Sequence, residues 1–280
     1  MEFDSARLEM VSQRFRREMW TSVVPEAVSE SGVEVERFGP VQATAFGDLP
    51  EILDLNQIQG AAEPGAIEDG HLAAAIEWMR QREVHFCVPV SEARPGAGAA
   101  HAWLGARGYE QATGWLKFIR DLSPPEFEVD HGIAIYQLGG EEIDGEALSA
   151  IIAEAMNLPA PAGTLFFSLP QQRDWRCYTA ALAAGELVVS TASMMLDGDV
   201  VQLGPGNTVE RARGHGCHLA LLRRRLIDAA ANGCRTAVVE LLGCDPDNLS
   251  SAGRNLCRAG FELAYAGRVW QRPALHPAVY

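Results

Sequence analysis

Five arginines, two histidines and four glycines fall within one short stretch, residues 200–225 (VVQLGPGNTVERARGHGCHLALLRRR). Their types suit one task, holding a phosphate. The stretch opens apolar (Val200, Val201, Leu203), breaks at Gly204-Pro205-Gly206, and enters the basic turn Arg211-Ala212-Arg213-Gly214-His215-Gly216. Leu219, Leu222, Leu226 and Ala229/Ala230 then recur at helical spacing. A strand, a glycine turn and a helix in that order leave the first N–H groups of the helix unpaired at its positive end. Glycines let an anion approach those groups closely. The whole chain has a formal net charge of −14, yet residues 206–225 set five arginines against one acid, Glu210. A basic island in an acidic protein points to a local polyanion and not to a nucleic-acid surface.

The type of phosphate site can be narrowed. No Lys follows the glycines, so a Walker loop is excluded, and Gly214-His215-Gly216-Cys217-His218 lacks the third glycine of a dinucleotide fingerprint. The remaining pattern, R-x-x-G-x-G/A, resembles the pyrophosphate-binding signature of the Gcn5-related N-acetyltransferases (GNAT), which bind acetyl-coenzyme A. Arg211-x-x-Gly214-x-Gly216 matches it fully. Arg213-x-x-Gly216-x-His218 puts His where that family prefers Gly or Ala, but fits the downstream helix spacing better. In either frame the amides of about residues 213–218 form the cradle.

Composition sets the bounds. At 280 residues and 30.3 kDa there is chain for one large or two medium domains. No apolar run approaches the roughly 20 residues of a membrane span, and Met1-Glu2-Phe3-Asp4 does not open a secretory signal. The six cysteines (Cys87, Cys177, Cys217, Cys234, Cys244, Cys257) contain no C-x-x-C pair, which favours a reduced, cytoplasmic setting. His215, Cys217 and His218 straddle a helix start with no second ligand pair, so no metal is expected.

Along the chain, Leu8, Val11, Phe15 and Met19 predict an amphipathic helix over 4–20, packed onto its own domain. Strands are predicted at 32–38 and 84–90, helices at 49–58 and 68–82, a further helix through Leu104, and strands at 109–112 and 114–120. Asp121-Leu122-Ser123-Pro124-Pro125 reads as a linker. The pattern then restarts. Residues 132–139 echo 32–39 at an offset of 100, and Leu256, Gly260-Phe261-Glu262, Trp270 and Arg272 echo Leu104, Gly108-Tyr109-Glu110, Phe118 and Arg120 at an offset of 152. Two copies of one fold follow from this, the second longer in its middle. That copy reads as strand 133–138, helices 141–156 and 164–172, strands 175–183, 186–196 and 200–208 turned at Ala184-Gly185 and Asp197-Gly198, helix 217–232, strand 235–241, helix 251–259 and two last strands.

This order resembles the acetyltransferase fold. Thr208-Val209-x-x-Ala212-Arg213-Gly214, Ala237-Val238-Val239 and Arg254-Asn255-Leu256-x-Arg258-Ala259-Gly260-Phe261 are similar to strings in tandem members of that family. The resemblance implies an α/β (mixed α+β) fold: two copies of a mixed, mostly antiparallel sheet flanked by helices. Residues 1–122 would be a degenerate N-terminal copy, and 131–273 the copy with the acetyl-CoA site. It further implies two strands splayed at a bulge, with the carrier's pantetheine arm against residues 206–209. The cofactor-binding set is then Gly206, Thr208, Val209, Arg211, Arg213, Gly214, His215, Gly216, Cys217, His218 and Asn255. An amine of a small molecule would attack the thioester directly. The family's acid, a Tyr four residues before the Gly of Gly260-Phe261, is Leu256 here. Glu240, late on its strand, is the candidate base, with an Arg-paired strand acid as the other reading, and Phe166, Phe167, Trp175 and Tyr178 are candidates to line an acceptor site. A non-catalytic acyl-CoA-binding protein, or an enzyme using another acyl-CoA, is the alternative. Neither nucleic acid nor membrane is expected as a partner; a homodimer is possible.

Overall fold

In the computed structural model the described residues are 3–23, 28–29, 31–122, 132–139, 141–158, 164–184, 187–244 and 246–272, the side chains of Thr113, Glu142 and Ile143 excepted. Helix α1 (Ser5–Thr21) starts at Asp4, whose carboxylate accepts the N–H groups of Ala6 and Arg7. There follow β1 (Val33–Phe38), β2 (Val41–Phe46), β3 (Gln57–Gln59), α2 (His71–Gln81), β4 (Cys87–Ser91), α3 (Ala97–Gly105) and β5 (Glu110–Asp121). The chain continues through β6 (Ala134–Gln137), α4 (Glu142–Met156), β7 (Trp175–Ala181), β8 (Val188–Asp197), β9 (Val200–Thr208) and α5 (Cys217–Ala231). It closes with β10 (Thr236–Leu242), α6 (Ser251–Arg258) and β11 (Glu262–Gln271).

Two compact units result. The first comprises Met1–Ser31, Lys117–Leu241 and Asp247–Ala264; the second comprises Gly32–Leu116, Leu242–Pro246 and Tyr265–Tyr280. In the first unit the strand order is the end of β5, then β10, β9, β8, β7 and β6. β6 to β9 are antiparallel, and β9 pairs parallel with β10 across α5. Trp175 and Tyr178 fall on opposite faces of β7 by strand alternation. Trp175 stacks on Phe15 of α1 with ring centroids 4.8 Å apart, and the Tyr178 hydroxyl donates to Asp228 of α5 at 2.8 Å. The sheet is thus covered by α1 on one face and α5 on the other. In the second unit β1, β2 and β3 are antiparallel, β3 pairs parallel with β4, and β4 pairs with the end of β11. Val41, Ala43, Ile58, Val88 and Val90 turn to α2 and α3 and close its core with Leu72, Ile76, Met79 and Leu104.

Several elements differ from their sequence-based reading. The helix at 4–20 exists but belongs to the first unit, where Ser12 donates to Gln202 of β9 at 2.8 Å. Residues 49–56 are turns and bends leading into β3, which takes 57 and 58. Buried Asn56 binds the carbonyls of Leu49 and Ile52 and accepts the Phe46 N–H, a loop whose apolar spacing mimics a helix. β2 (VQATAF) is not anticipated; all six of its residues are buried, the polar Gln42 and Thr44 included. The expected break in β5 does not occur: Gly114 is a close approach, since a Cβ there would meet the Gly267 carbonyl at 2.4 Å. The two strands expected after Gly260-Phe261 are likewise one, β11. Residues 164–172 form two 3-10 turns, Thr164–Phe166 and Leu169–Gln171, with Pro170 in the second. The linker at 123–125, most of the loop at 157–163, Gly185 and Asp245 lie outside the described residues.

The internal echo is half supported by topology. The offset of 152 carries α3 and β5 onto α6 and β11, which follow β4 and β10 in the same order. The offset of 100 fails. β1 and β2 form a hairpin like β7 and β8, whereas β6 is an additional edge strand followed by α4. The extra chain of the second half therefore includes its start.

Candidate functional site

Pro205 shapes the site. It lacks an N–H and cannot sustain a ladder on β9. Against β8 the register slips there, Ala192 facing Gly206 while Met194 faces Leu203, so β9 carries one extra residue as a bulge. Against β10 the parallel pairing runs from Thr236↔Val200 to Val239↔Leu203 and stops. Residues 204–208 and 240–241 continue without pairing to each other. Backbone groups along that opening can bond an extended, amide-bearing ligand inserted between the strands.

The mouth of the opening is the start of α5. Gly214 and Gly216 adopt φ +83° and +90°, conformations closed to most side chains, and Gly216 is the N-cap of a 15-residue helix that no side chain caps. The N–H groups of a helix's first turn point out of its positive end, where an anion can meet them. The flanking residues hold the loop in place. Thr208 bonds Ser190, with 2.8 Å between their hydroxyl oxygens, and Val209 donates to the Val189 carbonyl at 3.0 Å and is fully buried. Arg211 pairs with Glu154, and Arg213 donates to the carbonyls of Thr208 and Ala155 at 3.4 and 3.2 Å. His215 is exposed, its Nδ1 donating to the Arg213 carbonyl at 3.1 Å.

His218 sits deeper. Asn255 of α6 donates to its Nδ1 at 3.2 Å, which leaves the ring proton on Nε2, near Gly206. Burial first, and the Arg225 charge second, pull His218 down to about 4. The unfolded chain therefore takes up a proton below pH 6.5 that the folded chain refuses until about 4. Stability falls as pH drops through that window, by on the order of 2–3 kcal/mol from this group. Urea melts from pH 7 to pH 4 check this: His218→Gln flattens the slope, and an unchanged slope would show that the ring is not held neutral.

Glu240 is the first residue of β10 beyond the pairing. One carboxylate oxygen accepts from Lys117 of β5 at 2.6 Å and the other pairs with Arg16 of α1. Lys117, fully buried, also donates to Ser12 at 2.5 Å and lies 3.3 Å from Glu9. Burial brings Lys117 down to about 8, with Glu9 opposing that shift and Arg16 adding to it. A carboxylate gripped by two cations is poorly disposed to accept a proton, so this geometry gives Glu240 the part of an ion-paired strand acid. Sequence reasoning missed Glu9, Ser12, Arg16 and Lys117; a lone Lys in GWLKFIR reads as ordinary strand alternation. Nor do the four aromatics come together at an acceptor site. Phe166, Trp175 and Tyr178 are only 3%, 2% and 0% exposed, with Phe166 against Trp20, and Phe167 packs at Gly145. Leu256, at the family's acid position, is buried as well. Among the described residues no His, Cys, Asp and Glu cluster suited to a metal occurs, and no helix is long and apolar enough to cross a membrane.

The parallel pair that opens at a bulge, followed by an uncapped helix start, is a recognisable arrangement. A Gcn5-related N-acetyltransferase from Sphaerobacter thermophilus superposes with a TM-score of 0.61 at 15% identity, covering 84% of this chain and 81% of its own. One from Kribbella flavida also gives 0.61, at 17% identity over 94% and 97%. A tandem GNAT protein from the clavulanic acid biosynthesis pathway gives 0.58 at 17% over 82% and 77%. This chain has the GNAT fold. No family model matches the sequence, and no curated protein does. The mixed sheet, mostly antiparallel and flanked by helices, is that of the GNAT neighbours.

Proposed function

We propose that the protein is an acyltransferase that takes an acyl group from acetyl-CoA, or another acyl-CoA, and gives it to the amine of a small molecule. The observation that carries this reading is the paired opening: β9 and β10 part at Leu203/Val239, and the glycine-flanked start of α5, which no side chain caps, lies at the same end. The diphosphate of the carrier would lie on the amides of residues 214–218. Its pantetheine arm would run along residues 206–209, with Asn255 and His218 forming the wall. A backbone N–H beside the bulge would polarise the thioester carbonyl, and the amine would attack it to give an amide and release the thiol.

Proton removal needs no dedicated base in this scheme, since Glu240 is committed to Lys117 and Arg16. The acceptor then enters as the free amine, and kcat/KM rises with pH through the amine's own pKa. With two amines whose pKa values differ by about two, the rising limb is expected to move by about the same amount. A limb fixed regardless of the amine would instead reveal an enzyme base. Thiol release assayed with acyl-CoA and an amine panel tests the activity itself; tight CoA binding with no release from any amine would support a non-catalytic role.

A further inference from the structure

Arg225 lies inside α5 with 2% of its surface exposed. Its Nε donates to the Leu221 carbonyl at 3.3 Å, and its Nη1 donates to the carbonyls of Ser193 and Gly204 at 2.9 and 3.3 Å, which flank the bulge. These bonds explain one side of the guanidinium. Among the described residues Nη2 makes no hydrogen bond and the group makes no ion pair. Nη2 lies beside Gly206, where β9 has left its pairing with β10: a Cβ placed on Gly206 would lie 3.4 Å from it and 3.5 Å from His218 Nε2. Two donors thus converge beside the unpaired edge of β9. A buried charge without a counter-charge is costly, and its neighbours on the helix, Leu222 and Leu226, show what the position would hold for packing alone. Burial lowers Arg225 only to about 10, so it is a cation at neutral pH. Nine residues beyond Gly216, it is about 13 Å along the helix from the diphosphate end, too deep to serve there.

We propose that Arg225, with the Nε2–H of His218, receives a carboxylate of the substrate at the acyl end of the opening. A guanidinium fork offers two parallel N–H groups to such an anion. The carboxylate can arrive on the acyl donor, as in a dicarboxylic acyl thioester, or on an amino-acid-like acceptor. The proposal rests on the acyl-transfer reading and specifies its substrate class.

Four pairings test it in the full-length protein: succinyl-CoA against butyryl-CoA with an uncharged amine, and an amino acid against its amide with acetyl-CoA. In one arm the carboxylate-bearing substrate is expected to win in kcat/KM by roughly tenfold or more, and that arm identifies the source. Arg225→Lys is expected to cut that preference at least severalfold, a change that loss of packing alone would not produce. Equal kcat/KM for charged and uncharged partners in both arms would overturn the proposal, and the wild-type comparison decides this even where the variant fails to fold. Calorimetry with CoA itself separates the two layers: no CoA binding defeats the acyl-transfer reading, whereas CoA binding without charge preference defeats only the carboxylate receptor.

Discussion

Replacing Gly216 with Asp is expected to weaken binding of CoA about 100-fold or more, measured by calorimetry. Gly216 holds φ +90° at the N-cap of α5, where a side chain is strained by about 1–3 kcal/mol. An Asp there also sets a carboxylate against the helix's positive end, where the diphosphate is expected. Gly216→Ala separates the contributions, since it imposes the strain without the charge. Its affinity loss is expected to be several-fold smaller, with a comparable drop in melting temperature. If Asp and Ala reduce affinity equally, the helix end is not where the anion binds.

Lys117→Met is expected to destabilise the protein by about 3–5 kcal/mol, read from urea or thermal melts. Met keeps the stem and roughly the volume but removes the ammonium that Glu240, Glu9 and Ser12 surround. Glu9 and Glu240 would then lose the cation that both face. Adding Glu240→Gln removes one stranded charge and is expected to restore part of the loss; a double variant as unstable as the sum of the singles would show that the pair is not coupled. The pH dependence has a definite sign. Lys117 titrates at about 8 in the folded chain and near 10.5 unfolded. Between those values the unfolded state binds more protons, so this group makes stability rise with pH there. The charged groups facing it are Glu9 and Arg16 of α1 and Glu240 of β10.

Much of the site was legible because proline and glycine punctuate it. Pro205 with Gly204 and Gly206 marks where β9 leaves its ladder, and Gly214 and Gly216 mark the turn into α5. The pattern places β9 at residues 200–208, where it lies, and α5 at 217–232, one residue beyond its end. Charge was less legible. The five arginines of residues 206–225 read as one basic island, but Arg225 is buried, Arg211 pairs with Glu154 and Arg224 with Asp228. Helical spacing places Arg225 beside the apolar face; only the bulge carbonyls of Ser193 and Gly204 explain why it can stay there.

The group around Glu240 was hidden for a different reason. Its members come from α1, β5 and β10, and Glu9 and Glu240 are 231 positions apart in the chain. No local pattern encodes that meeting. The same holds for β3, three residues whose strand state depends on pairing with β2 and with Cys87. Asn56, by contrast, was visible but ambiguous, because apolar spacing around a buried turn imitates a helix.

Hydrogen exchange of the backbone amides, with and without CoA, tests the central assignment most directly. The expected result is slowed exchange confined to residues 204–209 on the free edge of β9 and residues 214–218 at the start of α5. Protection of other segments with these two unchanged would contradict it.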